Sequence, residues 1–538
     1  MRSTQRAPRS CSECTSRKIK CNKVIPCRPC RKRGQAARCT REPVIVRGVI
    51  TVAEDVEPEA ETRNPIRSIP TENIHSTCAE PPQPTSSRVD DTTLASLEGT
   101  SIPQFSSPIK AWGDIILPSR HQSMTLVEHG RLWTSWIHCA LDHASFEEQH
   151  NRFWNWLGQG HTIEENCPAW LAIFFASLAA SLLTIDTAEA DISEDSVSTL
   201  LANWYGASLF CLEQADYLRN FDIRSVQSIA ILQMCCSAVG DFRLRSCLLP
   251  LGIRIASWLK LPYIPEQGYD LRQCEWSRRL WWTLVICEWL TLDSHRPCIS
   301  EEDFDMEFPS VSGRPHLSQY HNSLNISEQI PELPSAWVYH RVIAQIATIY
   351  YRFQRASRGR TQPLGDLVTT ANEQLAAVLD NLPFYLQPDG QHATDAATIA
   401  QCPWMEWQRV DLCNALLSYR IFINRSLLQV PSISSERSNG ARKICTESAQ
   451  MIISITSSTN IPVHQRRYGT YTLRLFNAGL TLISDARQQQ QSGGVEASKW
   501  ITHILHCIKL LEQARDRNLI AKRAAEILSN KIAEFNLH

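Results

Sequence analysis

Six of the twenty cysteines lie close together near the start of the chain, with the spacing Cys11-x2-Cys14-x6-Cys21-x5-Cys27-x2-Cys30-x8-Cys39. Each of the two C-x-x-C pairs can bring two thiolates to one metal ion at about 2.3 Å. Structural zinc takes four tetrahedral ligands, so two zinc ions need eight ligand contacts. Six sulfurs supply eight contacts if two of them bridge both ions. The spacing therefore predicts a cluster in which two Zn²⁺ ions are held by Cys11, Cys14, Cys21, Cys27, Cys30 and Cys39.

Basic side chains are concentrated around these cysteines. The first fifty residues hold fourteen Lys or Arg against two Glu, a charge of +12, although the whole chain carries only −1. Two zinc ions with six thiolates sum to −2, which the surrounding cations more than offset. The surplus predicts a polyanionic partner. Double-stranded DNA fits, because Lys and Arg neutralise phosphates and pair with guanine O6 and N7 in the major groove.

The cysteine spacing, the segment CTSRKIKCN and Pro26 before the fourth cysteine resemble the fungal zinc binuclear-cluster regulators. This resemblance implies that Cys11 and Cys27 bridge the two ions. Cys14 and Cys21 would complete one zinc site, and Cys30 and Cys39 the other. It also implies that a short helix after the second cysteine enters the major groove and reads a CGG-type triplet. The implied base-reading residues are Arg17 and Lys18, and the expected phosphate contacts are Lys20, Arg31 and Lys32.

Composition predicts a mainly α protein of three parts. Residues 1–43 form the zinc-cluster DNA-binding domain, and residues 44–110 a disordered linker rich in proline and polar residues. Residues 111–538 form a large all-helical regulatory domain. No sustained a/d heptad pattern follows the cluster, so the sequence leaves open whether the chain is a monomer or a dimer.

Apolar residues in the third part recur at helical spacing. One stripe runs from Leu367 to Leu382 and ends at Pro383, and another runs from Leu412 to Ile423. We expect a further helix from Trp500 toward Lys531. The stretch Ser277–Ser310, which includes Trp281, Trp282 and Leu284, resembles the fungal-specific transcription factor domain, and LPSR at residues 117–120 resembles its entry. We expect these tryptophans to serve packing.

The sequence offers little for an enzyme. His138, His143 and His150 recur along one stretch, but no carboxylate cluster, phosphate-binding loop or nucleophile elbow accompanies them, so we interpret them as packing residues. The acids of SEEDFDMEF lack the glycine and terminal Glu of a calcium loop. No apolar run is long enough to span a membrane.

Together with the resemblance, these observations predict a nuclear, sequence-specific regulator of RNA polymerase II genes. The resemblance also associates such a regulator with pathway-specific gene clusters, such as those of secondary metabolism. It would bind promoter DNA, with a second copy of the chain or co-regulators as further partners. The alternative is a protein-interaction module that zinc holds together and that lacks sequence-specific DNA binding. The cationic head favours the regulator, because an interaction module has no need of it.

Overall fold

The computed structural model describes the following residues: 10–22, 25–41, 44–46, 49–51, 105–263, 271–291, 296–311, 334–360, 362–388, 396–430, 433–458, 461–491 and 497–534. They fall into two compact units, which divide between Ser87 and Arg88. The first unit holds the six clustered cysteines, and the second is helical.

The first unit contains two five-residue helices, α1 (Ser12–Ser16) and α2 (Arg28–Lys32), and a 3-10 turn at Ala36–Arg38. Strands β1 (Val44–Val46) and β2 (Val49–Thr51) pair antiparallel, with Ile45 opposite Ile50. This hairpin lies within the segment predicted to be a linker, and residues 52–104 of that segment lie outside the described residues. The β-branched residues of VIVRGVIT account for the strands, since such side chains favour extended backbone.

Helices account for nearly all of the regular structure described in the second unit, as the sequence predicts. In chain order they are α3 (Arg120–His129), α4 (Ser135–His138), α5 (His143–Leu157), α6 (Pro168–Thr184), α7 (Glu194–Gln214), α8 (Ile223–Val239), α9 (Phe242–Trp258), α10 (Leu271–Trp289), α11 (Trp337–Gly359), α12 (Leu364–Asp380), α13 (Ala396–Gln401), α14 (Met405–Leu428), α15 (Ser435–Ser458), α16 (Gly469–Gln491), α17 (Ala497–Gln513) and α18 (Leu519–Ala533). Short 3-10 turns lie at Trp112–Asp114, Ile163–Glu165, Glu301–Asp303, Phe384–Leu386 and Val463–Arg467, and a π-helical turn at Gly130–Thr134 joins α3 to α4. Along the described part of the chain, none of these helices is long and apolar enough to cross a membrane.

Helix α6 forms the centre of one half of the core. Its sequence, PAWLAIFFASLAASLLT, is apolar on every side, and all but two of its residues are buried. A helix of that kind needs neighbours all around it, and α3, α7 and α8 supply them. Gly130 permits the close approach at the π-helical turn, because a Cβ atom there would lie 2.8 Å from Ser181 Oγ.

Helix α14 is the centre of the other half and packs most extensively on α15. It is less apolar, and Asp411, which is buried, accepts hydrogen bonds from Arg474 Nη1 and Tyr339 OH, each at 2.5 Å. These bonds tie α14 to α11 and α16. The opposite charges of Asp411 and Arg474 compensate each other in the core. Loss of either residue would leave the other as an unpaired buried charge.

The C-terminal prediction is wrong in one respect, because the single helix expected from Trp500 toward Lys531 is two helices, α17 and α18. Asn518 caps the second one, and its Oδ1 accepts hydrogen bonds from the amides of Ile520 and Ala521 at 3.0 and 3.2 Å. Arg517 points into the core and donates to the carbonyl oxygen of Ile185 at 2.9 Å. The side-chain hydrogen bonds of Arg517 and Asn518 therefore separate two helices where the apolar spacing predicts one.

Candidate metal centre and nucleic-acid interface

The six cysteines form a buried cluster, against which Ile19 and Ile25 pack. The Sγ atoms of Cys11, Cys14, Cys27 and Cys30 all lie within 4.8 Å of one another. Cys39 joins them, since its sulfur accepts the amide of Cys27 at 3.1 Å. Cys21 is also buried. The fold thus brings all six predicted donors together in a region too small to have a conventional hydrophobic core.

The sulfur separations fit shared zinc ions. Two thiolates on one tetrahedral zinc at about 2.3 Å lie about 3.8 Å apart. The observed Sγ distances are 3.5 Å for Cys14 to Cys27, 3.7 Å for Cys11 to Cys27 and 3.9 Å for Cys11 to Cys30. Burial raises the pKa of the Cys39 thiol to about 12 and also raises the pKa of Cys14. Because zinc binds thiolates, its binding must release these protons.

The cluster is built from two similar halves offset by sixteen residues. Helices α1 and α2 begin directly after Cys11 and Cys27, respectively. Each ends in the same way: the amide of Ile19 donates to the carbonyl of Cys14 at 3.0 Å, and that of Gln35 to the carbonyl of Cys30 at 2.9 Å. The chain therefore leaves the helix with the same hydrogen-bond pattern after each C-x-x-C pair.

Lys18 and Gly34 are the equivalent residues at these two helix ends, and both have positive φ, +52° and +67°. Glycine adopts this left-handed conformation readily, whereas a lysine is strained in it. Lys18 is also exposed. The backbone therefore holds an exposed cation in a strained conformation at the end of α1, and strain of this kind often marks functional positions.

The structure corrects the predicted position of the first helix, which was expected after the second cysteine. Helix α1 begins before Cys14 and includes it, and ends at Ser16, so that Arg17 caps the helix and Lys18 follows. The Arg17 guanidinium forms an ion pair with Glu13, with Nε 3.4 Å from Oε2. The i,i+4 spacing of these two residues is the sequence signal that predicts such a pair.

Other cations also lie on the surface of the first unit. The predicted phosphate contacts Lys20, Arg31 and Lys32 are exposed, and so are Arg28, Arg33 and Arg38, which the prediction did not include. Arg38 lies on the 3-10 turn just before Cys39. The high density of basic residues in the segment RKRGQAAR is the sequence feature that indicates its place on this cationic surface. The described surface around the sulfur cluster is thus strongly cationic.

Comparison with known proteins identifies this unit. Residues 9–45 match the family model of the fungal Zn(2)-Cys(6) binuclear cluster domain. The first unit therefore contains a fungal-type zinc binuclear cluster domain. This zinc-cluster domain binds two zinc ions, and the matches associate the chain with transcription regulation and DNA binding.

Two relatives and a solved structure extend the comparison. The zinc-cluster protein is similar to the probable transcription factor lepB of Aspergillus flavus, with 21% identity over 450 residues and 78% of each chain covered. Over 46 residues, 8% of each chain, it is 46% identical to a component of the centromere DNA-binding protein complex CBF3 of Saccharomyces cerevisiae. The structure of the K. lactis CBF3 core shares its fold, with a TM-score of 0.53 and 12% identity over 83% of this chain and 89% of that one.

The histidines and acids that could suggest a catalytic or cation site lie in the helical unit. His150 is buried and accepts the Trp154 indole N–H at 3.0 Å, and its Nε2 lies 2.6 Å from Ser123 Oγ. Burial lowers the pKa of His138 to about 3 and that of His143 and His150 to about 4, so all three are neutral near pH 7. The acids Glu301 and Glu302 form ion pairs with Arg352 and Arg355 of α11, respectively.

Proposed function

We propose that this zinc-cluster protein reads CGG-type triplets in promoter DNA in the nucleus and so regulates genes transcribed by RNA polymerase II. Lys18 carries the proposal. It is an exposed cation held in a left-handed conformation four residues after the buried Cys14. The backbone at the end of α1 fixes the point from which this side chain projects, and a lysine that reaches the major groove pairs with guanine O6 and N7.

In this proposal the two zinc ions hold the two halves of the cluster together. Cys11 and Cys27 bridge both ions, Cys14 and Cys21 complete one site, and Cys30 and Cys39 the other. The short sulfur separations around Cys11 and Cys27 support the assignment. The zinc fixes helix α1, and therefore the backbone of Lys18, before any DNA is bound.

The remaining basic residues divide between two roles. Arg17 reads bases together with Lys18, and its ion pair with Glu13 must open for it to do so. Lys20, Arg31 and Lys32 neutralise phosphates and so orient the cluster on the duplex. For the helical unit we propose regulation, with a second copy of the chain or a co-regulator as its partner. Control of a pathway-specific gene cluster, as in secondary metabolism, is part of the same proposal.

A pair of variants separates base reading from nonspecific attraction. Lys18→Ala should weaken binding to a CGG-containing duplex by about 1 to 3 kcal/mol and leave binding to random duplex nearly unchanged, because a base contact carries discrimination. Lys32→Ala is the matched control. It should weaken binding to both duplexes about equally and lower the slope of log affinity against log salt by about one unit.

The measurement is a salt titration of each full-length variant against both duplexes. Equal losses on the two DNAs for Lys18→Ala would show that Lys18 is an electrostatic anchor and would remove it from the proposed reading site.

A further inference from the structure

The helical unit contains a cavity of about 160 Å³ that is partly open to solvent. Helices α4, α8, α9, α10, α11, α14 and α16 all contribute to its walls. Apolar side chains form much of the lining, among them Met234, Ile286, Ile343 and Phe422. Cavities of about 150 Å³ lined by such residues accept a molecule the size of benzene. The space therefore suits one six-membered ring.

Three polar side chains in the lining have atoms left without a partner. Gln233, His340 and Ser418 are each more than nine-tenths buried, and Gln233 Oε1, His340 Nδ1 and Ser418 Oγ form no hydrogen bond within the described part of the chain. Buried polar atoms are seldom left unsatisfied, because each lost hydrogen bond is costly. These three atoms belong to residues that line one cavity, and a polar group of a ligand there would supply the missing hydrogen bonds.

The tautomer of His340 determines whether the polar group of the ligand must donate or accept a hydrogen bond. Thr283 Oγ1 lies 2.8 Å from the carbonyl of His138, to which it donates its hydrogen, and 3.1 Å from His340 Nε2. Nε2 must then carry the ring proton and donate to the threonine oxygen. Burial lowers the pKa of His340 to about 3, so the ring has no second proton near pH 7. Nδ1 is consequently a lone-pair acceptor, as is Gln233 Oε1, and both fit a ligand that donates.

Arg245 supplies a charge to the same cavity. It lines the wall from α9 and is partly exposed. Among the described residues, no carboxylate forms an ion pair with it, whereas Arg474, the other arginine of the lining, is paired with Asp411. A guanidinium fork of this kind suits a carboxylate.

We propose that this cavity binds a small organic carboxylate, in which a single ring fills the apolar space, the carboxylate meets Arg245, and a hydroxyl or amine group donates to His340 Nδ1 or Gln233 Oε1. The proposal concerns the helical unit alone and does not depend on how the cluster reads DNA.

The test is calorimetric titration of the full-length protein with 4-hydroxybenzoate, which has all three features. Two related compounds each lack one: benzoate has no donor group, and 4-hydroxybenzyl alcohol has no carboxylate. We expect one molecule of 4-hydroxybenzoate per chain, with benzoate binding about threefold to tenfold more weakly because one hydrogen bond is lost.

Two variants assign the binding to the cavity. Arg245→Gln should weaken 4-hydroxybenzoate binding about tenfold or more but leave binding of the alcohol unchanged. Arg243→Gln, an exposed position on the same helix outside the cavity lining, is the matched control and should change neither. Ala230→Leu fills part of the space and should weaken all three compounds.

Failure of all three compounds to bind at millimolar concentration, with the protein folded, would overturn the proposal and leave a cavity filled by water. Binding that neither Arg245→Gln nor Ala230→Leu weakens would place the ligand elsewhere and overturn it equally. An alcohol that binds as tightly as 4-hydroxybenzoate would contradict the role of Arg245.

Discussion

Lys18 and Gly34 lie at equivalent positions in the two halves of the cluster. The backbone turns the same way at both, yet one half has the residue that suits a positive φ and the other has a lysine. Strain at Lys18 is therefore a feature of one half only. The C-x-x-C spacing predicts the sulfur cluster, but it does not predict this conformation, because a lysine is not the residue expected at positive φ.

Two substitutions test whether the backbone of Lys18 is strained. Lys18→Gly should make the cluster more stable by up to about 1 kcal/mol, because glycine relieves the strain. Gly34→Ala, the matched variant, should destabilise it by about 1 kcal/mol, although no neighbouring atom lies within 4 Å of the added Cβ atom. Resistance of bound zinc to a chelator reports both effects in the full-length chain. A Lys18→Gly variant that loses zinc more readily than the wild type would show that no strain is relieved there.

At the scale of helices, apolar periodicity identifies helices and their buried faces but not their neighbours. The stripe from Leu367 to Leu382 corresponds to α12, where Ala371 and Leu375 are buried. Between α17 and α18, Asn518 and the buried Arg517 interrupt the helix, although helical apolar spacing occurs on both sides. The contacts of Arg517 reach residues more than three hundred positions away, which no local pattern can contain.

The paired tryptophans of α10 make the packing interpretation testable. Trp282 is buried, stacks on Phe308 with ring centroids 4.8 Å apart, and donates to the carbonyl of Glu307 at 2.7 Å. Trp282→Ala should lower the free energy of unfolding by about 3 to 5 kcal/mol. Trp258→Ala is the matched control, since this ring is 72% exposed, and should change the free energy by no more than about 0.5 kcal/mol.

Urea unfolding followed by tryptophan fluorescence measures both changes in the full-length chain. All sixteen tryptophans lie beyond residue 111, so the signal reports on the helical unit and not on the cluster. Equal small losses for the two variants would mean that Trp282 contributes no more to packing than an exposed ring does.

At the scale of the whole molecule, the two units depend on different chemistry. The cluster unit depends on zinc and thiolates, and six cysteines at fixed spacing make that predictable. The helical unit depends on contacts between distant helices, and its cavity is lined by residues as far apart as Ile137 and Arg474. In the sequence, the helices that line the cavity are seen only as separate stripes of apolar residues. The cavity arises only when the helices pack together, and this is why the sequence does not predict it.

Buried histidines should make the helical unit sensitive to acid. Burial lowers the pKa of His129, His138 and His340 to about 3, from about 6.5 in an unfolded chain. Between these values the unfolded state takes up protons that the folded state cannot, so stability is full above pH 6.5 and falls as the pH decreases toward 3. Each histidine should contribute a loss of about 1 to 2 kcal/mol at pH 5.

Urea unfolding at pH 7.5 and pH 5.0 tests this, with His129→Gln as the variant because glutamine can still bond to Thr184. The variant should have a smaller difference between the two pH values. An unchanged difference would mean that His129 can take up a proton in the folded state.

Selection of bound DNA from a random-sequence duplex pool by the full-length, zinc-loaded protein tests whether the cluster reads a DNA sequence. We expect enrichment of sequences that contain CGG triplets, and loss of that enrichment in the presence of a strong chelator or in Lys18→Ala. A pool whose sequence composition stays random after selection would contradict sequence-specific reading and would favour a protein-interaction module held together by zinc. Enrichment that persists after zinc is removed would contradict the role of the cluster.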